Sequence, residues 1–436
     1  MNGNSQDALV KSKTLGLEFS VKGGFYNDYV ILELRSPGAR IYYTTNGSKP
    51  TRRSKVYDKP IVVKSTTAIR AIARKGRRKS NIKGHTFFIG EEPSTFPVVS
   101  MLVPPQILFD EENGLFIEGP DADSSYAKFG ANFWSKKEVK INCEIFETDG
   151  TCVYRSNSGF RLFGGMSRLF PQKSIVLVAR DKYGKKRIKH KIFGKGTPKK
   201  HKYLVLRNSG SDWGKAHLRD KFMTSLVDDW DIEVQDSRPS HVYINGKYWG
   251  IYNIREKVNR FYLQEHTDVD KDSLDLMEHR MNRKRGSAIH YQKMLKFMKE
   301  NDLSDPTSYA YLNSLMEVEN FIDYKVAQIF FDNQDAGGNI KYWRPQTPTG
   351  KWRWILYDTD WGFGLHDERA YRNNSLAFHT KENGPAWPNP EWSTFILRKL
   401  LENKEFEEKF INRFCDALNT SFENNNVEAK LDEHIN

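Results

Sequence analysis

Three aspartates and an asparagine stand at the two ends of one stretch, Gln328 to Gly364. Asp335 and Asn339 lie in DNQDAGGN, and Asp358 and Asp360 in YDTDWGFG. Between them runs IKYWRPQTPTGKWRWILY, whose Pro345, Pro348 and Gly350 punctuate a turn between two aromatic-rich strands. A hairpin brings its ends together, so the two acidic clusters are expected to meet. Taken singly, each of these residues also suits a turn. Together they have the composition that phosphoryl transfer requires. One Asp accepts a hydroxyl proton, while an Asn and a second Asp hold Mg²⁺ against nucleotide phosphates. Mg²⁺ takes hard oxygen ligands, one or two of them carboxylates. A carboxylate pair among Asp335, Asp358 and Asp360 is also the equipment of a glycosidase. Against that, no Glu accompanies them, and Asp358 and Asp360, read as alternating on the second strand, point the same way.

The second candidate is Gly159 to Lys173, GFRLFGGMSRLFPQK. Gly164 and Gly165 let backbone amides approach an anion closely, with Ser167, Arg168 and Lys173 nearby in sequence. No GK[ST] ends the stretch, so it is not a P-loop; alone, it reads as a hairpin turn with exposed basic residues.

Several segments, in order, resemble the CotH-type kinases, the spore-coat-protein-H family of atypical protein kinases. They are FPVVSM, GMSRLFPQKSIVL, KYLVLRNSGSDW, LRDKF, VYINGKYWGIYNIREKVNRFYL, NQDAGGNIKYWR and ILYDTDWGFG, running from about Phe96 to the end of the chain. The resemblance implies an α+β atypical protein-kinase-like domain that transfers the γ-phosphoryl of Mg-ATP to Ser or Thr hydroxyls of a protein substrate. On that pattern Asp335 is the base, Asn339 and Asp358 coordinate Mg²⁺, and Asp360 assists the metal or caps the turn. Lys173 and Arg168 hold phosphates, with Ser167 and Gly165 beside them. Glu256, where a strand gives way to a helix, orients Lys173 or else pairs with Lys257 at the surface. Two departures stand out. Asp335 and Asn339 are four apart where ordinary kinases separate base and metal Asn by five, and the HRD and DFG strings are absent. The departures leave room for a second reading, a surface or binding protein that keeps the fold without turnover.

The elements that must position these residues follow from the pattern. Residues 1–16 are polar and read as a loose segment. From Leu17 to about Ile89 the chain alternates short strands with turns, as a small immunoglobulin-like β-sandwich does. PGARIYYTTNGSKPT…YDKPIVVKSTTAIRAIARKGRRKS resembles the chitobiase/β-hexosaminidase C-terminal-type domain. Residues 17–92 are therefore read as an accessory module without catalysis, through which carbohydrate or cell-surface contact is open. Tyr42 and Tyr43 are assigned to packing there, because alternate strand positions face a core. Glu91 to Ser94 is read as a linker and 93–436 as the kinase-like domain, truncated at its C-terminus.

Within that domain Thr148-Asp149-Gly150 marks a hairpin. KYLVLRN is a buried strand, and LRDKFMTSLVDDW is a helix carrying Asp220 as a structural acid. Asn245-Gly246 turns a second hairpin. Asp268 to Met281 is charged and turn-rich, and Ser273 and His279 occupy the positions where an EF-hand needs Gly and Glu. Two amphipathic helices, the second broken near Val318, lead into the opening stretch. The proline-containing segment from His366 to Pro390 is a long loop of the substrate-holding kind, and helices close the chain.

With 436 residues and 13% aromatic content, the chain is long enough for two or three packed domains. No apolar run is long enough to span a membrane. The net charge of +13 lies in clusters at turns, which are more often solvated faces than nucleic-acid grooves, so nucleic acid is not the expected partner. Cys143 and Cys152 flank a turn; a disulfide there is open, with two packed thiols the expected state. The domain architecture favours an exported or surface location and leaves a cytoplasmic one open.

Overall fold

A computed structural model describes residues 14–435. Most of the segment read as loose, residues 1–13, lies outside the described residues. The chain forms two compact units. One holds the residues up to His190 together with Pro239–Tyr252, and the other holds Lys191–Arg238 and the residues from Asn253 onward.

The first unit opens with an all-strand region, the immunoglobulin-like module expected from the turn spacing. Its main sheet is built on β1 (Arg40–Thr44), β2 (Thr67–Lys75) and β3 (Lys83–Ile89), paired antiparallel in that order. Alternation decides the packing. Ile69, Ala71 and Ala73 of β2 face a core with Leu32, Ile41, Val63 and Phe87. Tyr42 is buried and Tyr43 packs against that core, as assigned.

The same unit continues with β4 (Val98–Leu102), β5 (Val139–Phe146), β6 (Cys152–Leu162) and β7 (Ile175–Val178), each antiparallel to the next. The β5–β6 turn falls at the expected place, with Gly150 at φ +78°. Cys143 is opposite Ser156, and Cys152 opposite Phe146. The two cysteines are therefore out of register and are free thiols. Glu144 of β5 is wholly buried and fastens the module to this sheet. It accepts from Thr86 N (2.7 Å) and Arg155 Nε (2.6 Å) and lies 2.9 Å from His85 Nδ1. The stretch read as a linker is tied down too, since Glu91 accepts from Tyr243 Oη over 2.7 Å.

The chain passes between the units within β9 (Ser237–Ile244) and β10 (Lys247–Arg255), after β8 (Tyr203–Arg207). Asn245-Gly246 joins β9 to β10 with both residues at positive φ, as its Asn-Gly sequence demands. In the second unit β8 pairs with the end of β10, Val205 opposite Arg255 and Arg207 opposite Asn253. Helix α1 (Arg219–Ser225) follows β8 in sequence, and α2 (Arg260–His266) follows β10, capped by the side chain of Asn259.

The segment from Asp268 to Met281, read as turns, contains instead a buried strand, β11 (Leu274–Glu278). Its apolar residues are too few to outweigh the flanking aspartates in a sequence window. Pairing decides it, because β11 lies antiparallel to β12 (Lys341–Pro345). β12 in turn pairs with β13 (Arg353–Leu356) in the expected hairpin, Tyr342 opposite Trp354. Helices α3 (Ile289–Glu300), α4 (Pro306–Asn313) and α5 (Val318–Phe330) lie over this sheet, with the break before Val318 where it was expected. α5 is buried nearly throughout, its polar Asn320, Asp323, Lys325 and Gln328 included, so those groups must find partners inside the fold. Phe321, Trp352, Trp354, Tyr342 and Tyr291 fill one core with residues of the closing helices α7 (Glu391–Leu400) and α8 (Lys404–Leu418). The segment 366–390 holds a turn of 3-10 helix (Ala370–Arg372) and one short α-helix, α6 (Ser375–Thr380), and is otherwise irregular.

Candidate functional site

The two ends of the hairpin meet. Asp332, at φ +47°, follows the last turn of α5, and Phe363 N donates to Phe331 O over 2.8 Å. β13 ends at Leu356, so Asp358 and Asp360 are not on the strand. Asp358 adopts a left-handed φ of +59°, uncommon for a residue with a side chain. Both carboxylates nevertheless reach one guanidinium.

That guanidinium belongs to Arg207, the last residue of β8. Its Nη1 donates to Asp220 Oδ2 (2.7 Å), and its Nη2 donates to Asp360 Oδ2 (2.8 Å) and to Asp358 Oδ1. Arg255, the last residue of β10, pairs with the same Asp220 oxygen. Asp220 Oδ1 takes Thr359 N (2.6 Å) and Thr359 Oγ1 (2.8 Å). Asp220 is thus the structural acid expected. Although buried, it is held well below the carboxylate range by Arg255, Arg207 and Thr359. It fixes the backbone between Asp358 and Asp360. Ser211 N adds a 2.8 Å bond to Asp360 Oδ2, and a side chain on Gly210 (φ +59°) would collide with that oxygen and with Arg207.

Asp335 sits in the loop after α5, 8% exposed. Its Oδ2 accepts from Asn339 Nδ2 over 2.9 Å, and its Oδ1 has no hydrogen-bond partner among the described residues. Asn339 Nδ2 also reaches Asp358 O at 3.5 Å. Burial, reinforced by the charges of Asp358 and Asp360, pushes Asp335 up to about 8. Burial pushes Asp360 up to about 7, with Arg207 opposing and Asp358 adding to the rise. Two wholly buried amides hold the loop. Asn333 Oδ1 accepts from Asp335 N (3.1 Å), and Asn333 Nδ2 donates to Gln328 Oε1 of α5 (2.7 Å). Gly338 must lack a side chain, since a Cβ there would lie 2.6 Å from Asp335 Oδ1 and overlap the Trp387 indole. Asp332 accepts from Asn373 Nδ2 (2.8 Å) and from Ser375 Oγ, tying the 366–390 segment to this loop.

The donor set fits a hard divalent cation. Asp220, Asp358 and Asp360 share the charges of Arg207 and Arg255, with Lys341 also acting on Asp358, while Asp335 faces the like charges of Asp358 and Asp360; four ionised carboxylates would thus outnumber these three cations. Oδ1 of Asp335 is unsatisfied, and the Asp358 side chain keeps 37% of its surface exposed. Oxygen ligands with residual negative charge are what Mg²⁺ requires.

The remaining sequence candidates are placed as follows. In the first unit Lys173 is buried; its Nζ donates to Arg168 O (2.7 Å) and Phe170 O (3.0 Å) and lies 4.5 Å from the centre of the Phe133 ring. Desolvation lowers it to about 8. Arg168 donates to Gly164 O (2.7 Å) and Phe133 O (2.9 Å), so its guanidinium shapes the loop. Gly164 takes the positive φ, +96°; Gly165 precedes a turn of 3-10 helix that holds Ser167 and Arg168. In the second unit the buried Glu256 receives His266 Nε2 at 2.8 Å and Asp236 N at 3.2 Å. Lys173 and Glu256 belong to different units, and each of these bonds lies within one unit. Sequence reasoning passed over Arg207 and Arg255. The available signal was an arginine ending each of two apolar strands, YLVLR and YNIR.

Two known families match parts of the chain. The pattern of the CotH kinase protein family matches residues 160–436, and that of the chitobiase/beta-hexosaminidase C-terminal domain matches residues 21–83. None of the curated proteins compared with the chain matches it. The chain belongs to the CotH kinase family.

Proposed function

We propose that the second unit carries the catalytic carboxylates of a protein kinase that transfers the γ-phosphoryl of Mg-ATP to a Ser or Thr hydroxyl. The observation that carries this reading is Asp335, a buried carboxyl with one oxygen held by Asn339, the other unpartnered, and a pKa raised to about 8. A general base works best when its pKa lies near the operating pH. Mg²⁺, when bound, supplies neutralisation of phosphate charge. Asp358 and Asn339 would hold it, with Asp360 supporting them.

In the step itself Asp335 Oδ1 takes the proton of the acceptor hydroxyl. The hydroxyl oxygen bonds to the γ-phosphorus, the bond from that phosphorus to the β-bridging oxygen breaks, and ADP leaves with the electron pair. Arg207 holds Asp358 and Asp360 in place through bonds that need no rearrangement. Lys173 and Arg168, with Ser167 and Gly165 beside them, keep the phosphate-binding role that the sequence pattern implies. Nζ of Lys173 has a third proton beyond those given to Arg168 O and Phe170 O. Glu256 is left out of that role, because His266 takes its carboxylate.

A second reading rests on Arg207, which already engages oxygens of both Asp358 and Asp360. A guanidinium in that place suits a fold that keeps nucleotide binding and has lost transfer. Incubation with radiolabelled ATP, Mg²⁺ and acidic, basic and neutral protein acceptors separates the two readings. Label in protein that disappears in Asp335→Asn supports the kinase. ATP binding with no label in any acceptor or in the chain itself favours the scaffold.

A further inference from the structure

The charge of this protein is not spread evenly. Residues 17–92 contain sixteen Lys and Arg against six Asp and Glu, a net +10, which leaves only +3 for all other residues. The sandwich module therefore holds most of the excess, and the strand register shows how it is arranged.

On the main sheet Arg40 of β1 is directly opposite Arg74 of β2, and Arg74 is directly opposite Lys79 on the next short strand, Arg78–Lys79. Lys75 and Arg78 form a second like-charged pair at the same end. Arg52 closes the cluster from the side, its Nη2 donating to Gly76 O at the hairpin tip over 3.1 Å. Residues directly opposite on one sheet have Cβ atoms roughly 5 Å apart, and like charges so placed are destabilising. A pair of this kind is ordinarily relieved by a neighbouring acid. Here none of Arg40, Arg52, Arg74, Lys75, Arg78 and Lys79 forms an ion pair among the described residues. Of the acids in the module, Glu33 is taken by Arg35 and Glu91 by Tyr243 and Thr66. Arg74, flanked by cations on both sides, also has a buried Nε without a partner.

We propose that this end of the sandwich is a binding face for a linear acidic polysaccharide with a carboxylate on each sugar. Three cations in a row across adjacent strands repeat every ~4.8 Å, which suits anions recurring along a stiff chain. Guanidinium groups grip such oxyanions through paired N–H donors. Single-stranded nucleic acid needs aromatic platforms for its bases, and the Tyr42 ring, which lies under Arg40, is buried and offers none. Duplex DNA is read by a helix or two-stranded ribbon that enters a groove, whereas the row here runs across three paired strands. The assignment is independent of the kinase reading.

The test uses the whole chain and polygalacturonate as the probe, titrated by calorimetry at two salt concentrations. Wild type is expected to bind, with affinity falling steeply as salt rises. Arg40→Ser/Arg74→Ser/Lys79→Ser is expected to lose at least tenfold in affinity. Lys136→Ser/Lys137→Ser/Lys140→Ser, exposed residues that lose the same charge elsewhere, is expected to stay within twofold. Because the row repels itself, the first variant is also expected to melt no lower than wild type, which separates lost binding from lost folding. The proposal is overturned if wild type does not bind, or if both variants weaken equally. It is likewise overturned by a lower melting temperature of the row variant, or by equal or tighter binding to poly-glutamate, duplex DNA or phosphatidylglycerol vesicles.

Discussion

Asn339 Nδ2 donates to Oδ2 of Asp335 over 2.9 Å, and Oδ1 of the same carboxyl has no hydrogen-bond partner among the described residues. One oxygen is held while the other is available, so the amide orients the acid without consuming it. Asp335→Asn removes the proton acceptor and preserves shape. It is expected to lower kcat by about 10²-fold or more, in line with general-base catalysis, and to leave ATP affinity within a few-fold. Single-turnover transfer and an equilibrium titration measure the two quantities separately.

Arg207 is expected to matter most for stability. Its guanidinium touches Asp220, Asp358 and Asp360, and Arg207→Met takes the paired cation from the buried Asp360 and leaves Asp220 to Arg255 and Thr359. Breaking a buried ion pair from one side costs about 3–5 kcal/mol, and urea denaturation should show a loss of that size. Arg207→Lys should rescue little, because an ammonium lacks the planar fork that reaches three acids at once.

Stability of the cation-free protein should depend on pH through Asp335 and Asp360. An unfolded aspartate titrates near ~3.9, whereas burial and neighbouring charge raise Asp335 to about 8 and Asp360 to about 7 in the fold. The fold therefore favours the protonated forms. Their contribution is fully present below about pH 4 and is lost as pH rises through 7 to 8. Melting curves without divalent ions should shift downward over that window. Added Mg²⁺ should raise the melting temperature at pH 8 and do little at pH 5, because only the ionised cluster attracts it.

Gly338→Ala tests the floor of the site. The new methyl would overlap Trp387 and press on Asp335 Oδ1. Overpacking of this kind costs about 1–3 kcal/mol, and transfer should fall with it. Trp387→Ala in the Gly338→Ala background should recover stability, which differential scanning calorimetry would detect.

Much of the arrangement was legible because it is local. The hairpin around Pro345 and Gly350, the Asn245-Gly246 turn and the break before Val318 each follow from residues a few positions apart. The meeting of Asp335 with Asp358 and Asp360 follows from the hairpin itself. The arginines that organise those acids were not legible, since Arg207 precedes Asp358 by 151 residues and only tertiary pairing joins them. β11 was hidden for the same reason: Leu274, Leu276 and Met277 become a strand only against β12. Glu256 has a partner that sequence reading passed over. Its position at the strand end was read correctly, but His266, ten residues on across one helix, competes for the carboxylate.

The central claim is that the carboxylate cluster holds a nucleotide through Mg²⁺, and calorimetric titration of ATP into wild type and Asp358→Ala, with and without Mg²⁺, tests it most directly. The account predicts Mg²⁺-dependent binding to wild type, weakened at least tenfold in Asp358→Ala. Failure of wild type to bind ATP in Mg²⁺, or equal binding by both proteins, would contradict it.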